Sequence, residues 1–156
     1  GAKPVFSDID PNTFGSSAIE IEKVITPKTK MIVAQHSFGI PCNIEPIVEL
    51  AKRKGIFLLE DCALTLGSKI KGVQVGNFGD AALFSIDHSK PINACLGGLI
   101  YTKNVHLYKQ LKEIQFKSFN SPYHVSTFSM IRLDSPYGLM GLVIAPSIIG
   151  ISSGEP

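Results

Sequence analysis

The sequence predicts an α/β fold: a helix-covered, mostly parallel sheet. Lys30-Met31-Ile32-Val33-Ala34 and Ile56-Phe57-Leu58-Leu59 are short, nearly continuous apolar runs, as in strands covered on both faces. Between them, Asn43 to Lys54 carries Ile44, Ile47, Val48 and Ala51 at helical spacing. The alternation continues with apolar runs at Ala81 to Ile86 and Gly98 to Tyr101.

Taken in order, Val5 to Ile9 reads as a short strand closed by Asp10-Pro11-Asn12. Ser17 is placed to cap a helix through Val24, with Glu20 as its capping-box partner and Ile21, Val24 and Ile25 on the buried side. Thr26-Pro27 ends that helix, and the strand from Lys30 follows. Gln35 to Pro41 is a loop. The helix over 43–54 has Lys52, Arg53 and Lys54 in its last turn, where positive charge suits the dipole, and Gly55 supplies the stop. Asn104 can cap a helix to about Lys117, with Leu107, Leu111 and Ile114 facing inward. Beyond it Phe119 to His124 is a loop, and the remaining periodicity is weak. The chain therefore divides into 1–118, one sheet-and-helix unit, and 119–156, an atypical tail.

The 156 residues are 44% apolar, enough for a real core in one domain. A net charge of +2, with the basic residues scattered, gives no footprint for nucleic acid. The apolar run from Gly138 to Ile151 is too short for a membrane span and is broken by Gly141, Pro146 and Gly150. Cys42, Cys62 and Cys95 are odd in number and irregularly spaced, so they read as small reduced thiols in a cytoplasmic protein rather than a metal or disulfide set. No glycine-rich dinucleotide fingerprint or phosphate loop is present. The N-terminus looks like a strand met in mid-fold, which reads as a fragment.

The chemistry concentrates at strand ends, where parallel sheets bind ligands. Asp61 closes the run from Gly55. Ser85 closes the next, and Lys90 follows five residues later, before the Gly97-Gly98 pair. An acid to hold a ring nitrogen protonated, a hydroxyl for phosphate and an amine for a Schiff base are what a phosphorylated pyridine aldehyde needs. Glycines beside them let backbone approach a ligand closely.

From Gly1 to about Thr102 the sequence resembles the DegT/StrS-type aminotransferases. The matching pieces are Gly1 to Asp10, His36-Ser37-Phe38-Gly39-Ile40-Pro41, Glu60-Asp61-Cys62-Ala63-Leu64-Thr65-Leu66-Gly67, Gly76-Asn77-Phe78-Gly79-Asp80-Ala81, and Phe84-Ser85 through Lys90 to Gly97-Gly98. The resemblance implies a partial fold-type-I large domain that uses pyridoxal 5'-phosphate, with 1–118 as its cofactor-binding part. It implies transfer of an amino group, by family habit from glutamate, to a nucleotide-linked keto sugar in cell-surface polysaccharide or secondary-metabolite biosynthesis. By the same resemblance Asp61 pairs with the pyridinium nitrogen, Ser85 binds the cofactor phosphate, and Lys90 is the catalytic Schiff-base lysine. A homodimer is implied, because the family builds its site across two subunits.

His36 occupies a position where the family often has histidine, with a loop-packing role as open as a catalytic one. His88 is read as shaping the turn before Lys90. Leu64 stands where many members have a polar cofactor contact, and Leu96 where a glutamate is common. The asparagine that reaches a partner's cofactor is not recognisable in Phe128 to Arg132. A full member is about twice this length or more. The alternative is a non-catalytic or truncated relative that folds or binds a partner without turnover. A related sugar dehydratase is disfavoured by Lys90, since those relatives dispense with the lysine. Exposed faces left by missing segments would make the isolated chain poorly soluble.

Overall fold

A computed structural model describes residues 1–90, 92, 97–119, 132–135 and 138–143, with backbone alone for 116–119 and the last two of these segments. The elements in chain order are α1 (Ala18–Val24), β1 (Met31–Gln35), α2 (Ile44–Lys54), β2 (Phe57–Asp61), β3 (Lys69–Ile70), β4 (Val73–Gln74), β5 (Ala81–Ser85), β6 (Gly98–Thr102), α3 (Val105–Phe119), β7 (Arg132–Ser135) and β8 (Gly138–Val143). Six strands form one sheet in the order β1-β2-β5-β6-β8-β7, and β3 and β4 form a separate hairpin.

The parallel part of the sheet is β1, β2 and β5, with Met31 opposite Phe57 and Leu59 opposite Ala81. From β5 onward the sheet continues antiparallel: Ser85 faces Gly98, Gly98 faces Val143, and β7 pairs with β8. Helix α2 packs on β1 and β2, α1 packs on α2, and α3 lies against β6 and β8. Ile44, Ile47, Leu50 and Ala51 of α2 meet Ile32, Ala34 and Leu58 in the main core. Each large aliphatic buried there contributes roughly 1.5–3 kcal/mol. Among the described residues no helix is long and apolar enough to cross a membrane.

The local signals explain most boundaries. Ser17 Oγ caps α1 by accepting the Glu20 N–H at 3.5 Å, but the Glu20 carboxylate turns to Lys23 Nζ at 2.7 Å, so the reciprocal half of the capping box is missing. Gly55 ends α2 in the left-handed region, at φ 63°, and its N–H returns to Lys52 O. Asn104 Oδ1 caps α3 through the His106 and Leu107 N–H groups at 2.9 and 3.1 Å.

Three expectations are corrected and one element is added. Val5 to Ile9 is not a strand: Val5 and Phe6 are 67% and 87% exposed, and only Ile9 bridges, to Ser16 across the Asp10 turn. A short run with apolar residues does not make a strand where almost no neighbouring backbone pairs with it. Strand β1 is covered on one face only, since Ile32 and Ala34 are buried while Met31 and Val33 are 49% and 46% exposed. In α3, Ile114 is exposed and, among the described side chains, Tyr108 is the buried one, while Leu107 and Leu111 are half-buried. The β3–β4 hairpin was not anticipated; its two-residue turn, Lys71-Gly72, has φ of 49° and 83°, as a primed hairpin turn requires.

Ile47 is fully buried whereas Ile19, on the outer side of α1, is 71% exposed. Ile47→Ala should lower unfolding stability by about 2–5 kcal/mol. Ile19→Ala should change it by no more than about 0.5 kcal/mol. Urea unfolding midpoints for the two variants check this assignment of faces.

Candidate functional site

Asp61 is the last residue of β2 and Ser85 the last of β5, and those strands are parallel neighbours in which Asp61 faces Leu83. Side chains alternate across a strand. Asp61, Leu83 and Ser85 therefore share the sheet face that carries Met31 and Val33, the face open on β1. Asp61 is half-buried, and its Oδ1 accepts the Ala63 N–H at 3.0 Å. Among the described residues no hydrogen bond is made by Oδ2.

Lys90 lies in the turn beyond β5 and is half-buried. A chain of short bonds ties that turn to the strand end: Lys90 N–H donates to Asp87 O at 2.9 Å, and Asp87 N–H donates to Ser85 Oγ at 3.4 Å. Ser89 N–H also donates to Asp87 Oδ1, at 3.3 Å. His88 is exposed and contacts the Asp87 carboxylate, consistent with a turn-shaping role. Across the ladder, Ile86 N–H donates to Gly97 O at 3.0 Å, and a Cβ on Gly98 would stand 3.0 Å from Phe84 O. Strand register thus brings Asp61 and Ser85 to one face and edge, with Lys90 held by the turn that Ser85 begins. Among the described residues no direct bond joins the Asp61, Ser85 and Lys90 side chains. Pro91, Cys95 and Leu96, and the stretch Phe128 to Ile131, lie outside the described residues.

On the opposite, helix-covered face stands a residue that sequence reasoning passed over. Glu60 is fully buried. Its Oε1 accepts the Phe78 and Gly79 N–H groups at 2.7 and 2.6 Å, and its Oε2 accepts Gly76 N–H at 2.7 Å and His36 Nε2 at 3.3 Å. Burial pushes its pKa up, but the His36 bond and the three peptide N–H groups outweigh burial and hold the carboxyl below its ordinary value of 4.5. The available signal was an acid on the inward side of a strand, which requires donors, followed by a glycine-bearing stretch able to supply them.

That arrangement settles His36 as a packing residue. Its Nδ1 accepts the Cys42 N–H at 3.1 Å, so the ring proton sits on Nε2 and is donated to Glu60. The ring is fully buried, and both of its nitrogens are engaged away from the open face. His36, Glu60 and Cys62 have donor atoms within 4.8 Å of one another, the reach of a metal ion. The bonds already made argue against that use. Each Glu60 oxygen already accepts two bonds, so an ion there would have to displace protein donors.

A separate cleft of about 610 Å³ lies at the other end of β2, lined by Ala51, Lys52, Ile56, Phe57, Phe78 and Asp80 among others. It opens at the start of β2, where Phe57 lies, and not at the strand end that carries Asp61, though Phe78 and Gly79 of its lining also bond Glu60.

Sequence and fold both resemble those of known aminotransferases. The profile of the DegT/DnrJ/EryC1/StrS aminotransferase family matches residues 1–137. The chain is 47% identical over 108 residues to GDP-perosamine synthase of Escherichia coli, covering 69% of this chain and 30% of that protein. It is 37% identical over 125 residues to UDP-N-acetyl-3-dehydro-alpha-D-glucosamine 3-aminotransferase of Acidithiobacillus ferrooxidans, covering 80% and 34%. An aminotransferase structure from Psychrobacter cryohalolentis superposes with a TM-score of 0.71 at 30% identity, over 84% of this chain and 35% of that one. The chain thus spans about a third of the length of the relatives it matches.

A carboxyl held below its usual range stabilises the fold at pH above its unfolded value and loses that contribution as pH falls through its folded value. Glu60→Gln leaves peptide donors facing an amide, and should cost about 3 kcal/mol near neutrality. The gap between wild type and variant should shrink as pH drops below 4.5. Denaturant unfolding across that range measures it.

Proposed function

The chain belongs to the DegT/DnrJ/EryC1/StrS aminotransferase family, and we propose from that premise that it serves the pyridoxal phosphate-dependent transfer of an amino group from an amino acid, glutamate, to a nucleotide-linked keto sugar. The observation that carries this reading is the shared edge of β2 and β5, with Asp61 and Ser85 on one sheet face and Lys90 in the turn that follows. The residues fit the cofactor. Asp61 keeps Oδ2 for a ring N–H while Ala63 fixes Oδ1. Ser85 Oγ accepts from Asp87 N–H, which leaves its own proton for a phosphate oxygen. Gly98 keeps the facing backbone clear of a Cβ.

When bound, pyridoxal phosphate supplies the electron sink that makes an α-proton labile. Asp61 would keep a proton at the ring nitrogen. Ser85 would anchor the phosphate, and Lys90 would hold the aldehyde carbon through Nζ. Once freed by the amino donor, the same Nζ would take up and return the α-proton. Sugar substrates are supported by the relatives, whose names are those of sugar-nucleotide enzymes. A homodimer is supported by the open face that carries Asp61, with exposed Met31 and Val33 beside it. A cytoplasmic setting and a role in surface-polysaccharide or secondary-metabolite sugar synthesis accord with the free Cys42 and Cys62 and with those relatives.

One observation favours a second reading, a relative that folds without turnover. Leu64, three residues past Asp61, is 40% exposed and apolar where a polar cofactor contact is common in the family. Pyridoxal phosphate followed by borohydride and peptide mass mapping separates the two. The adduct should map to Lys90 and vanish in Lys90→Ala. Asp61→Ala should retain the adduct yet slow amino transfer by about a hundredfold or more. A folded chain with no selective adduct would establish the second reading.

A further inference from the structure

The strand that carries Asp61 and the strand that leads to Lys90 are joined by a short ladder, three register pairs from Leu59↔Ala81 to Asp61↔Leu83. Three pairs supply few backbone bonds of their own, so the offset is set together with the buried face of the two strands and with contacts beyond the ladder. Residues 76–80 lead directly into β5, and that lead-in is where Glu60 acts. From β2 it takes the N–H groups of Gly76, Phe78 and Gly79 on its two oxygens. The adjoining bonds reinforce the join: Asp80 N–H donates to Leu58 O at 2.9 Å, and Leu58 N–H to Asp80 Oδ2 at 2.8 Å. The geometry at Gly76 and Gly79 shows how closely the lead-in is drawn in. A Cβ on Gly79 would stand 2.8 Å from Leu58 O, and one on Gly76 would stand 2.6 Å from the Phe84 ring.

We infer that Glu60 is a positioning residue: its carboxylate fixes the offset of β5 against β2 and so the spacing between Asp61 and the Ser85–Lys90 pair. This rests on the proposed function for its catalytic meaning. Glu60 touches neither the open face nor any group on it, and it acts through the residue beside it and the strand it clamps. His36 joins the same carboxylate from the β1 side, so the ends of β1 and β2 and the start of β5 meet on one group.

The test compares the full chain with Glu60→Gln by three readouts: titration with pyridoxal phosphate, borohydride trapping at Lys90, and amide hydrogen exchange along 31–35 and 81–85. Expected is a folded variant that still traps cofactor on Lys90. Its affinity should fall by ten- to a hundredfold, on the order of what a small misplacement costs, with faster exchange in 81–85 than in 31–35. A purely structural role would lower the melting temperature and leave the affinity of the folded fraction and the exchange contrast unchanged, which overturns the inference. If the wild-type chain traps no cofactor, the functional reading fails by itself. The exchange contrast then decides the offset role alone: faster exchange in 81–85 supports it, and equal exchange overturns it. If Glu60→Gln does not fold, Glu60→Asp, which keeps the charge one methylene further back, carries the same comparison with a smaller loss in the same direction.

Discussion

A carboxylate taken out of water costs several kcal/mol unless hydrogen-bond donors replace the hydration it loses. Glu60 meets that demand with four donors, and meeting it shapes the whole carboxyl end of the parallel ladder. Three of the donors, Gly76, Phe78 and Gly79, are peptide groups of one loop that must point at one place, so residues 76–79 wrap around the side chain. The wrap takes Gly76 to φ 91° and brings Gly79 onto Leu58 O, where a side chain does not fit. The fourth donor is an imidazole, and its other nitrogen must then accept, which it does from the Cys42 N–H just ahead of α2. One charge thereby orders the end of β1, the entry to α2, the end of β2 and the start of β5.

The adjacent acids Glu60 and Asp61 show how the pleat assigns chemistry. They are similar residues on consecutive positions, and the alternation of the strand sends them to opposite faces. The inward one is saturated by protein donors and has nothing left for a ligand. The outward one spends a single oxygen on Ala63 N–H and keeps the other for the open side. A carboxylate intended for a cofactor ring needs that incomplete satisfaction, and it needs a rigid base from which to offer it. The saturated neighbour supplies the base.

The fold was readable where the signal was local. The stripe on α2, the Gly55 stop, the Asn104 cap and the apolar runs of β2 and β5 each state their element within a few residues, and each is present. Failures occurred where the outcome depends on partners that are distant in sequence. Val5 to Ile9 has the composition of a strand, but only Ile9 finds a backbone partner, Ser16, so no strand forms. Met31 and Val33 have the composition of a doubly covered strand, yet coverage belongs to the assembly of elements, and only one face received it. The candidate site divides the same way. Asp61, Ser85 and Lys90 stand out as candidates because residue type and strand ends are written in the sequence, and the structure puts Asp61 and Ser85 at the ends of β2 and β5. The role of Glu60 was missed because its meaning lies in a loop sixteen to nineteen residues downstream.

The loop at the end of β1 bears on how far fold and activity are tied. Phe38 and Gly39, at φ 54° and 79°, make a tight turn whose Gly39 N–H donates to Leu64 O at 2.9 Å and whose Gly39 O accepts Ser68 Oγ at 2.8 Å. Leu64 therefore serves the frame through its backbone carbonyl, a group every residue possesses. Its side chain, 40% exposed, can change without altering that bond. The same holds for Asp61, whose backbone carbonyl accepts the His36 N–H at 3.0 Å whatever its side chain does. Framework bonds here run largely through the main chain and Glu60, whereas the groups that would meet a cofactor are side chains on the open face. Such a scaffold can keep its shape while those side chains diverge. On the proposed reading, the fate of those side chains, Asp61, Ser85 and Lys90 among them, separates an aminotransferase from a silent relative.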